Sequence, residues 1–156
     1  MNAQLLILES KPDWSVRLQR AVWPQQLRFS ELRYSDELEL ALEQAPQSMA
    51  VVEFDSPSGD LARLRRRLAA LQQWRQRYRN ASFVVVTNVK NRLVHGLIRQ
   101  AGAEWVASDE GEVRTLGRLL LLHIRWRGYC PTGQHRPYHV LGLDLSVHLP
   151  WQHLAE

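Results

Sequence analysis

Cysteine, an N-terminal secretory signal and a long apolar run are scarce or missing in this sequence. Cys130 is the single cysteine among 156 residues, which excludes an internal disulfide and a zinc site built on cysteines. The first apolar run, Leu5–Leu8, is too short for a secretory signal and ends at Glu9. The longest apolar block, residues 119–122, is too short to cross a bilayer. We therefore expect a cytoplasmic protein with no membrane partner.

Glycine is missing where a nucleotide-binding protein needs it. A phosphate loop after a first strand requires glycines, because backbone amides must approach the phosphates closely. Residues 9–12 of this chain read Glu-Ser-Lys-Pro at that point. The sequence also has no Gly-x-Ser-x-Gly motif for an esterase nucleophile. These absences argue against several common enzyme classes, and we expect no cofactor and no small-molecule substrate.

A large excess of charge of one sign is also lacking. Lys+Arg 20 against Asp+Glu 16 gives a formal net charge of +4, and Lys11 and Lys90 are the only lysines. Such a mild excess does not by itself indicate a nucleic-acid binder. Hydrophobic residues make up 45% and charged residues 23%, so the chain can bury a core. Its length corresponds to one ordinary domain.

A regular alternation of short apolar runs and helical patterns is what the sequence does contain. Four runs are uniformly apolar and end at polar residues, which predicts strands buried on both faces. A more polar run at 27–34 predicts an edge strand. The buried strands are predicted at 5–8, 49–52, 83–86 and 105–107, and the helices at about 12–23, 35–45, 60–79, 91–100 and 112–126. The apolar spacing predicts that Leu61, Leu93, Leu97 and Ile124 face the core.

This order of elements predicts an α/β fold. Buried strands that alternate with helices imply a parallel sheet covered by helices on both sides, in three layers. Ligands of such sheets bind in a crevice at the carboxyl ends of the strands. The polar residues that follow the predicted strands are Glu9, Ser10, Glu53, Asp55, Thr87, Asn88, Ser108 and Asp109.

Several motifs at these strand ends stand in a characteristic order. Residues 53–57, Glu-Phe-Asp-Ser-Pro, place an acid four residues before a proline, and Thr87 follows the next strand. Ala-Gly-Ala at 101–103 then precedes the last strand. The arrangement resembles the receiver domain of bacterial response regulators, the CheY-like fold, over about residues 3–126. The resemblance implies a flavodoxin-like sheet of five parallel strands in the order 2-1-3-4-5.

The resemblance also implies which positions would carry chemistry. In receivers, two acids after the first strand help to bind magnesium, and an aspartate at the end of the third strand accepts a phosphoryl group. A threonine or serine follows the fourth strand, and a Lys-Pro pair follows the fifth. The corresponding positions here are Glu9 and Ser10, Glu53, Thr87, and Ser108 with Asp109, and Trp105 stands where receivers often carry an aromatic switch residue.

Three of these positions have lost the group that the chemistry needs. Ser10 lacks the carboxylate that magnesium requires, and Ser108 lacks the cation that would neutralise a transferred phosphoryl group. Glu53 moves its carboxylate outward by one methylene, and a shift of about 1 Å can cost a hundredfold in rate. We therefore interpret the chain as a degenerate receiver, or pseudo-receiver, with a vestigial phosphorylation pocket, no catalytic residue and no metal. It is expected to act as a regulatory module that binds a protein partner.

Other interpretations stay open. Glu53 could reach towards Thr87 and imitate a phosphorylated aspartate, or it could simply hydrogen-bond in an altered pocket. A true phosphoacceptor or metal-dependent site could use Glu9, Glu53, Asp55 and Thr87. The arginines of the helix at 60–79 could bind nucleic acid, although they spread round the helix and more simply form a solvated face.

The last helix and the segment after it extend beyond a minimal receiver. Leu121, Leu122 and Trp126 add apolar surface outside the expected core face, which predicts a cover from a second subunit or from the chain itself. The resemblance also implies homodimerisation. We divide the chain into a receiver-like domain, 1–127, and a C-terminal extension, 128–156. Strict alternation of apolar and polar residues near 140–149 predicts a strand there, packed on the domain or on a dimer mate.

Overall fold

The computed structural model describes residues 4–56 and 60–127, in which five strands alternate with five helices. The strands are β1 (Leu5–Leu8), β2 (Ser30–Leu32), β3 (Met49–Glu53), β4 (Ser82–Val86) and β5 (Trp105–Ala107). The helices are α1 (Trp14–Ala21), α2 (Ser35–Gln44), α3 (Leu61–Arg77), α4 (Arg92–Gln100) and α5 (Glu110–Arg127). The C-terminal extension, with the strand predicted near 140–149, lies outside the described residues. No helix in the described part of the chain is long and apolar enough to span a membrane.

The five strands form one parallel sheet in the order β2-β1-β3-β4-β5, which confirms the prediction. The order reverses between β1 and β3, so a crevice opens at the carboxyl ends of these two strands. Leu8 pairs with Val52 and Glu53 pairs with Val86. This register carries the residues that follow β1, β3 and β4 to the same edge of the sheet.

Two apolar clusters, one on each face of the sheet, make up the core. Successive residues of a strand point to opposite faces, so Leu6 and Leu8 belong to one cluster whereas Leu5 and Ile7 belong to the other. Helices α2, α3 and α4 cover the first cluster, and α1 and α5 cover the second. Burial on both faces explains why every residue of β1 is apolar.

Helix α4 departs from the sequence prediction. Leu93 is 79% exposed and Leu97 is 47% exposed, whereas Ile98 is fully buried. The prediction that both leucines face the core was therefore wrong. The helix packs mainly on β5, an edge strand of three residues, and it contacts the core through Val94 and Ile98. An apolar surface remains on the outer side of α4.

Two further expected core residues also lie at the surface. Leu61 is 71% exposed because it is the first residue of α3, whose buried residues stand in the second half of the helix. Ile124 is 42% exposed, and His123 takes the buried position beside Leu120 instead. The helical period allows either residue 123 or residue 124 to face the core. The packing of α5 determines which of the two is buried.

Helix α2 begins with a cap that the sequence alone does not favour. Tyr34 stands at the N-cap, although the side chains of Ser35 and Asp36 are of the usual capping types. The Glu37 carboxylate accepts hydrogen bonds from the backbone amides of Arg33, at 2.7 Å, and Tyr34, at 3.1 Å. These two bonds hold the pKa of Glu37 below its usual value.

The Glu37 cap predicts a pH dependence of stability. A carboxyl whose pKa is lower in the folded state stabilises the fold above its unfolded pKa and loses that contribution as the pH falls. We therefore expect Glu37→Gln to lower the urea midpoint at pH 7, and the difference from the parent to shrink as the pH falls below 4.5. Asp36→Asn removes a charge from the same helical turn and is the matched control. A pH-independent difference for Glu37→Gln would contradict this assignment.

Candidate functional site

The carboxyl ends of β1, β3 and β4 bring the predicted pocket residues together. Glu9 and Ser10 follow β1, Glu53 ends β3, and Asp55 and Thr87 stand just beyond β3 and β4. Hydrogen bonds link these segments directly across the edge of the sheet. The sequence prediction of one shared site at these strand ends agrees with the geometry.

Glu9 turns its carboxylate into the protein rather than into the crevice. It is 2% exposed, and its Oε2 accepts hydrogen bonds from the backbone amides of Asp13, Trp14 and Ser15 at 2.9–3.3 Å. Its Oε1 accepts a bond of 2.5 Å from the Ser15 hydroxyl. Glu9 thus satisfies the free amides at the start of α1, where the helix dipole also favours a negative charge.

Ser10 and Glu53 form a pair across β1 and β3. The Ser10 amide donates to Glu53 Oε2 at 2.6 Å, and the Ser10 hydroxyl lies 3.1 Å and 3.2 Å from the two carboxylate oxygens. In the receiver resemblance, this serine replaces an acid. An acid at position 10 would repel the Glu53 carboxylate, whereas Ser10 donates hydrogen bonds to it.

Asp55 holds two elements together through contacts that the sequence analysis missed. Its Oδ2 accepts a hydrogen bond of 2.8 Å from the indole nitrogen of Trp14, and its Oδ1 accepts one of 2.6 Å from the backbone amide of Asn88. Trp14 is almost fully buried on α1. The only hint of this contact in the sequence is a tryptophan, Trp14, close to the predicted start of the first helix. The sequence alone does not show that Trp14 contacts Asp55.

Thr87 is fully buried and its hydroxyl serves the loop that follows it. The hydroxyl donates to the backbone oxygen of Phe54 at 3.1 Å and accepts from the amide of Val89 at 3.1 Å. Glu53 turns to Ser10 instead of towards Thr87. The geometry therefore favours the simpler interpretation of Glu53, as a carboxylate hydrogen-bonded within an altered pocket.

Ser108, at the position where receivers carry lysine, belongs to the start of α5. Its amide and hydroxyl donate to Glu112 Oε2 at 2.7 Å and 3.0 Å. Asp109 Oδ1 accepts from the Glu112 amide at 2.8 Å, and Glu112 Oε2 accepts from the Asp109 amide at 3.3 Å. This reciprocal arrangement is a capping box. Ser108 and Asp109 thus stabilise the N-terminus of α5.

Every carboxylate oxygen of Glu9, Glu53 and Asp55 accepts a hydrogen bond from the chain itself. Magnesium, which the receiver resemblance implies, needs anionic oxygens in nearly ideal octahedral geometry. Within residues 4–56 and 60–127, no three His, Cys, Asp or Glu side chains form a group that could hold a metal ion. The residues present do not fit the magnesium site of a receiver.

The arginines of α3 point to several different partners. Arg77 lies 2.6 Å from Glu43, and Arg75 lies 3.8 Å from Glu104. Arg67 donates to the backbone oxygen of Glu53. Burial of Arg67, and then the neighbouring positive charge of Arg63, lower the pKa of its guanidinium. These partners differ around the helix, so the arginines do not form one continuous stripe.

The predicted interface residues differ in exposure. Trp105 and Leu121 are half-buried and pack against the core cluster under α1 and α5. Leu122 is 40% exposed on the outer side of α5. The side chain of Trp126 lies outside the described part of the structure.

Comparison with known proteins supports the fold. No protein-family model and no curated protein matches the chain. A response regulator from Thermotoga maritima has a similar structure, with a TM-score of 0.60 and 11% identity over 80% of this chain and 99% of that one. A CheY-like protein (tadZ) from Pseudomonas aeruginosa gives 0.57 and 17% identity over 86% and 100% of the two chains. The signal receiver domain of an HD domain-containing protein from Pseudomonas fluorescens gives 0.56 and 16% identity over 80% and 90%.

These likenesses define the class of fold. The chain has the CheY-like receiver fold, which confirms the resemblance found at the strand ends. Its sequence is strongly divergent from these receivers, at 17% identity or less. Identity this low establishes the shape alone, so the chemistry must be argued from the residues of the site.

The Asp55–Trp14 bond leads to a test of the pocket. Trp14→Phe keeps an aromatic ring but removes the indole donor and some buried volume, so one oxygen of a partly buried carboxylate loses its partner. We expect a loss of at least roughly 1.5–3 kcal/mol in the free energy of unfolding, as for other hydrogen bonds to charged groups, with the lost packing added to it. Trp23→Phe, at a tryptophan that is 76% exposed, is the control. Equal urea midpoints for the two variants would refute the structural role of this bond.

Proposed function

We propose that this chain is a phosphorylation-independent receiver-like module that acts in signalling by binding a protein partner, and that it is not an enzyme. One observation carries the proposal: the chain's own donors occupy all the carboxylate oxygens of the pocket. A phosphoacceptor needs a free carboxylate oxygen as nucleophile and a cation to balance the growing charge. Glu53 faces Ser10 instead, and Ser108 supplies no cation.

The rival function is a true phosphoacceptor that uses Glu9, Glu53, Asp55 and Thr87. It would require Glu53 to leave Ser10 and Glu9 to leave the start of α1. Charge-assisted hydrogen bonds contribute about 1.5–3 kcal/mol each, so breaking several of them opposes this rearrangement. The bonds to Glu9 are also buried, which raises the cost of leaving the α1 amides unpaired.

Intact mass measurement distinguishes the two functions. After incubation with Mg²⁺ and acetyl phosphate, we expect the mass of the full chain to stay unchanged, because Ser10 holds the Glu53 carboxylate and Ser108 supplies no lysine cation. A stable adduct of one phosphoryl group would contradict the proposal. A phosphorylatable receiver treated in parallel shows that the phosphodonor is active.

A restored site tests the same reasoning in the opposite direction. The combined variant Ser10→Asp, Glu53→Asp, Ser108→Lys returns the three lost groups to the receiver pattern. We expect this variant to take up phosphate measurably above the parent. If the variant folds but is not phosphorylated, the loss of these three groups does not explain why the parent is not phosphorylated.

The outer side of α4 is the partner surface that we propose, and a second copy of the chain is the proposed partner. Leu93 is 79% exposed and Leu97, one turn later, is 47% exposed. Two large apolar residues on one exposed helix face favour association. We take this surface as the main candidate because its two leucines are more exposed than Leu121 and Leu122 of α5. We also propose that the protein acts in the cytoplasm.

Light scattering on the full chain tests this surface. We expect Leu93→Glu with Leu97→Glu to shift a dimer to a monomer, since two charges would be buried without partners. Leu40→Glu alters another exposed leucine, 57% exposed on α2, and is expected to leave the assembly unchanged. A monomeric parent, or a variant that stays dimeric, would refute the α4 interface.

A further inference from the structure

A cleft of about 550 Å³ lies at the carboxyl ends of β1 and β3, between α3 and the segment that leads into α2. It stands at the reversal of the strand order, where open α/β sheets bind their ligands. Its volume falls within the range of about 300–1,000 Å³ that is common for small-molecule sites. The pocket of hydrogen-bonded acids forms only one wall of this cleft.

The cleft combines an apolar floor with a basic rim. Val52, Phe54 and Ala70 contribute to the floor. The rim carries four arginines, one from the segment before α2 and three from the first two turns of α3: Arg33, Arg63, Arg66 and Arg67. The α3 arginines stand three and four positions apart, so the helical period directs them to one side.

Two of these arginines have no acidic partner in the described part of the chain. Arg33 is engaged, with Glu31 at 3.0 Å. Arg67 donates to the backbone oxygen of Glu53. Within residues 4–56 and 60–127, by contrast, no acidic side chain pairs with the guanidinium groups of Arg63 and Arg66.

The three acids that line the cleft accept hydrogen bonds from the chain, and the four arginines outnumber them. Glu9 accepts from the amides of α1, and Glu53 accepts from Ser10. Asp60 caps α3, where its Oδ1 accepts from the Arg63 amide at 2.9 Å. The guanidinium groups of Arg63 and Arg66, which pair with none of these acids, therefore keep donors for an incoming anion.

The start of α3 strengthens the positive charge of the rim. A helix N-terminus carries a partial positive charge, which makes arginines in its first turns unfavourable without an anion nearby. Burial and the repulsion from Arg63 also lower the pKa of Arg67. A bound anion would offset the repulsion between Arg63 and Arg67 and the positive charge of the helix N-terminus.

We propose that this cleft binds a small organic phosphate, with the phosphate on Arg63 and Arg66 and the organic part against the apolar floor. Arginine suits this role because its planar fork donates two parallel hydrogen bonds to phosphate. The binding is noncovalent and uses arginine side chains, so it does not need the glycine loop that the sequence lacks. A ligand here would change the expectation that the protein has no small-molecule partner.

A small ligand fits this surface better than nucleic acid does. A nucleic-acid backbone needs several phosphate contacts along a continuous strip. Arg75 and Arg77, farther along α3, bind Glu104 and Glu43 instead of extending such a strip. Arg63 and Arg66 instead lie together at a concave cleft that has the size of a small-molecule site.

Isothermal titration calorimetry on the full chain tests the proposal with AMP, inorganic phosphate and a single-stranded oligonucleotide as probes. We expect AMP to bind more tightly than inorganic phosphate, because only AMP also contacts the floor. Arg63→Gln with Arg66→Gln is expected to weaken AMP binding ~10-fold or more, as the loss of charged hydrogen bonds predicts. Arg65→Gln removes a neighbouring exposed arginine that does not line the cleft, and should leave AMP affinity unchanged.

Several results would overturn the proposal. They are no AMP binding at millimolar concentration, equal binding of AMP and inorganic phosphate, or an equal loss of affinity in Arg65→Gln. Preferred binding of the oligonucleotide, with an affinity that falls steeply with salt, would assign the surface to nucleic acid instead. Thermal midpoints without ligand show that each variant is folded. AMP binding forms no covalent bond, so its failure is separate from the outcome of the phosphorylation test.

Discussion

Carboxylates at the end of a parallel sheet need either a cation or hydrogen-bond donors, because a buried charge without partners is costly. In this protein the chain supplies the donors. The α1 amides and the Ser15 hydroxyl hold Glu9, Ser10 holds Glu53, and Trp14 with Asn88 holds Asp55. These bonds join β1, α1, β3 and the loop after β4, so the same interactions that occupy the pocket also connect the elements around it.

Hydrogen bonds from within the chain also hold the polar residues that follow β5. Ser108 and Asp109, which stand where a receiver carries lysine and proline, begin α5 with a capping box. A receiver changes state when a new charge enters its pocket. Under the function that we propose, a regulatory input acts elsewhere, at the apolar side of α4 or at the arginine cleft beside α3.

Sequence reasoning reached the fold and the position of the site, but it could not reach the hydrogen-bond partners. The strands are uniformly apolar because both faces are covered, and that signal is local. The pairing of Asp55 with Trp14 joins residues 41 positions apart. Leu93, Leu97 and Ile124 share the helical period of core residues, yet the short β5 strand and the packing of α5 leave them exposed. The spacing of apolar residues along a helix does not show how much of that helix packs against the sheet.

The sequence by itself determined the alternation of elements, the strand ends that meet, and the loss of the groups at Ser10 and Ser108. These features depend on residue type and spacing, which can be read directly from the sequence. The tertiary structure alone decided that Glu9 turns inward to α1, that Glu53 pairs with Ser10 rather than Thr87, and that Arg63 and Arg66 line a cleft. Such choices depend on side-chain direction and distance across the sheet, and those exist only once the strands are in register.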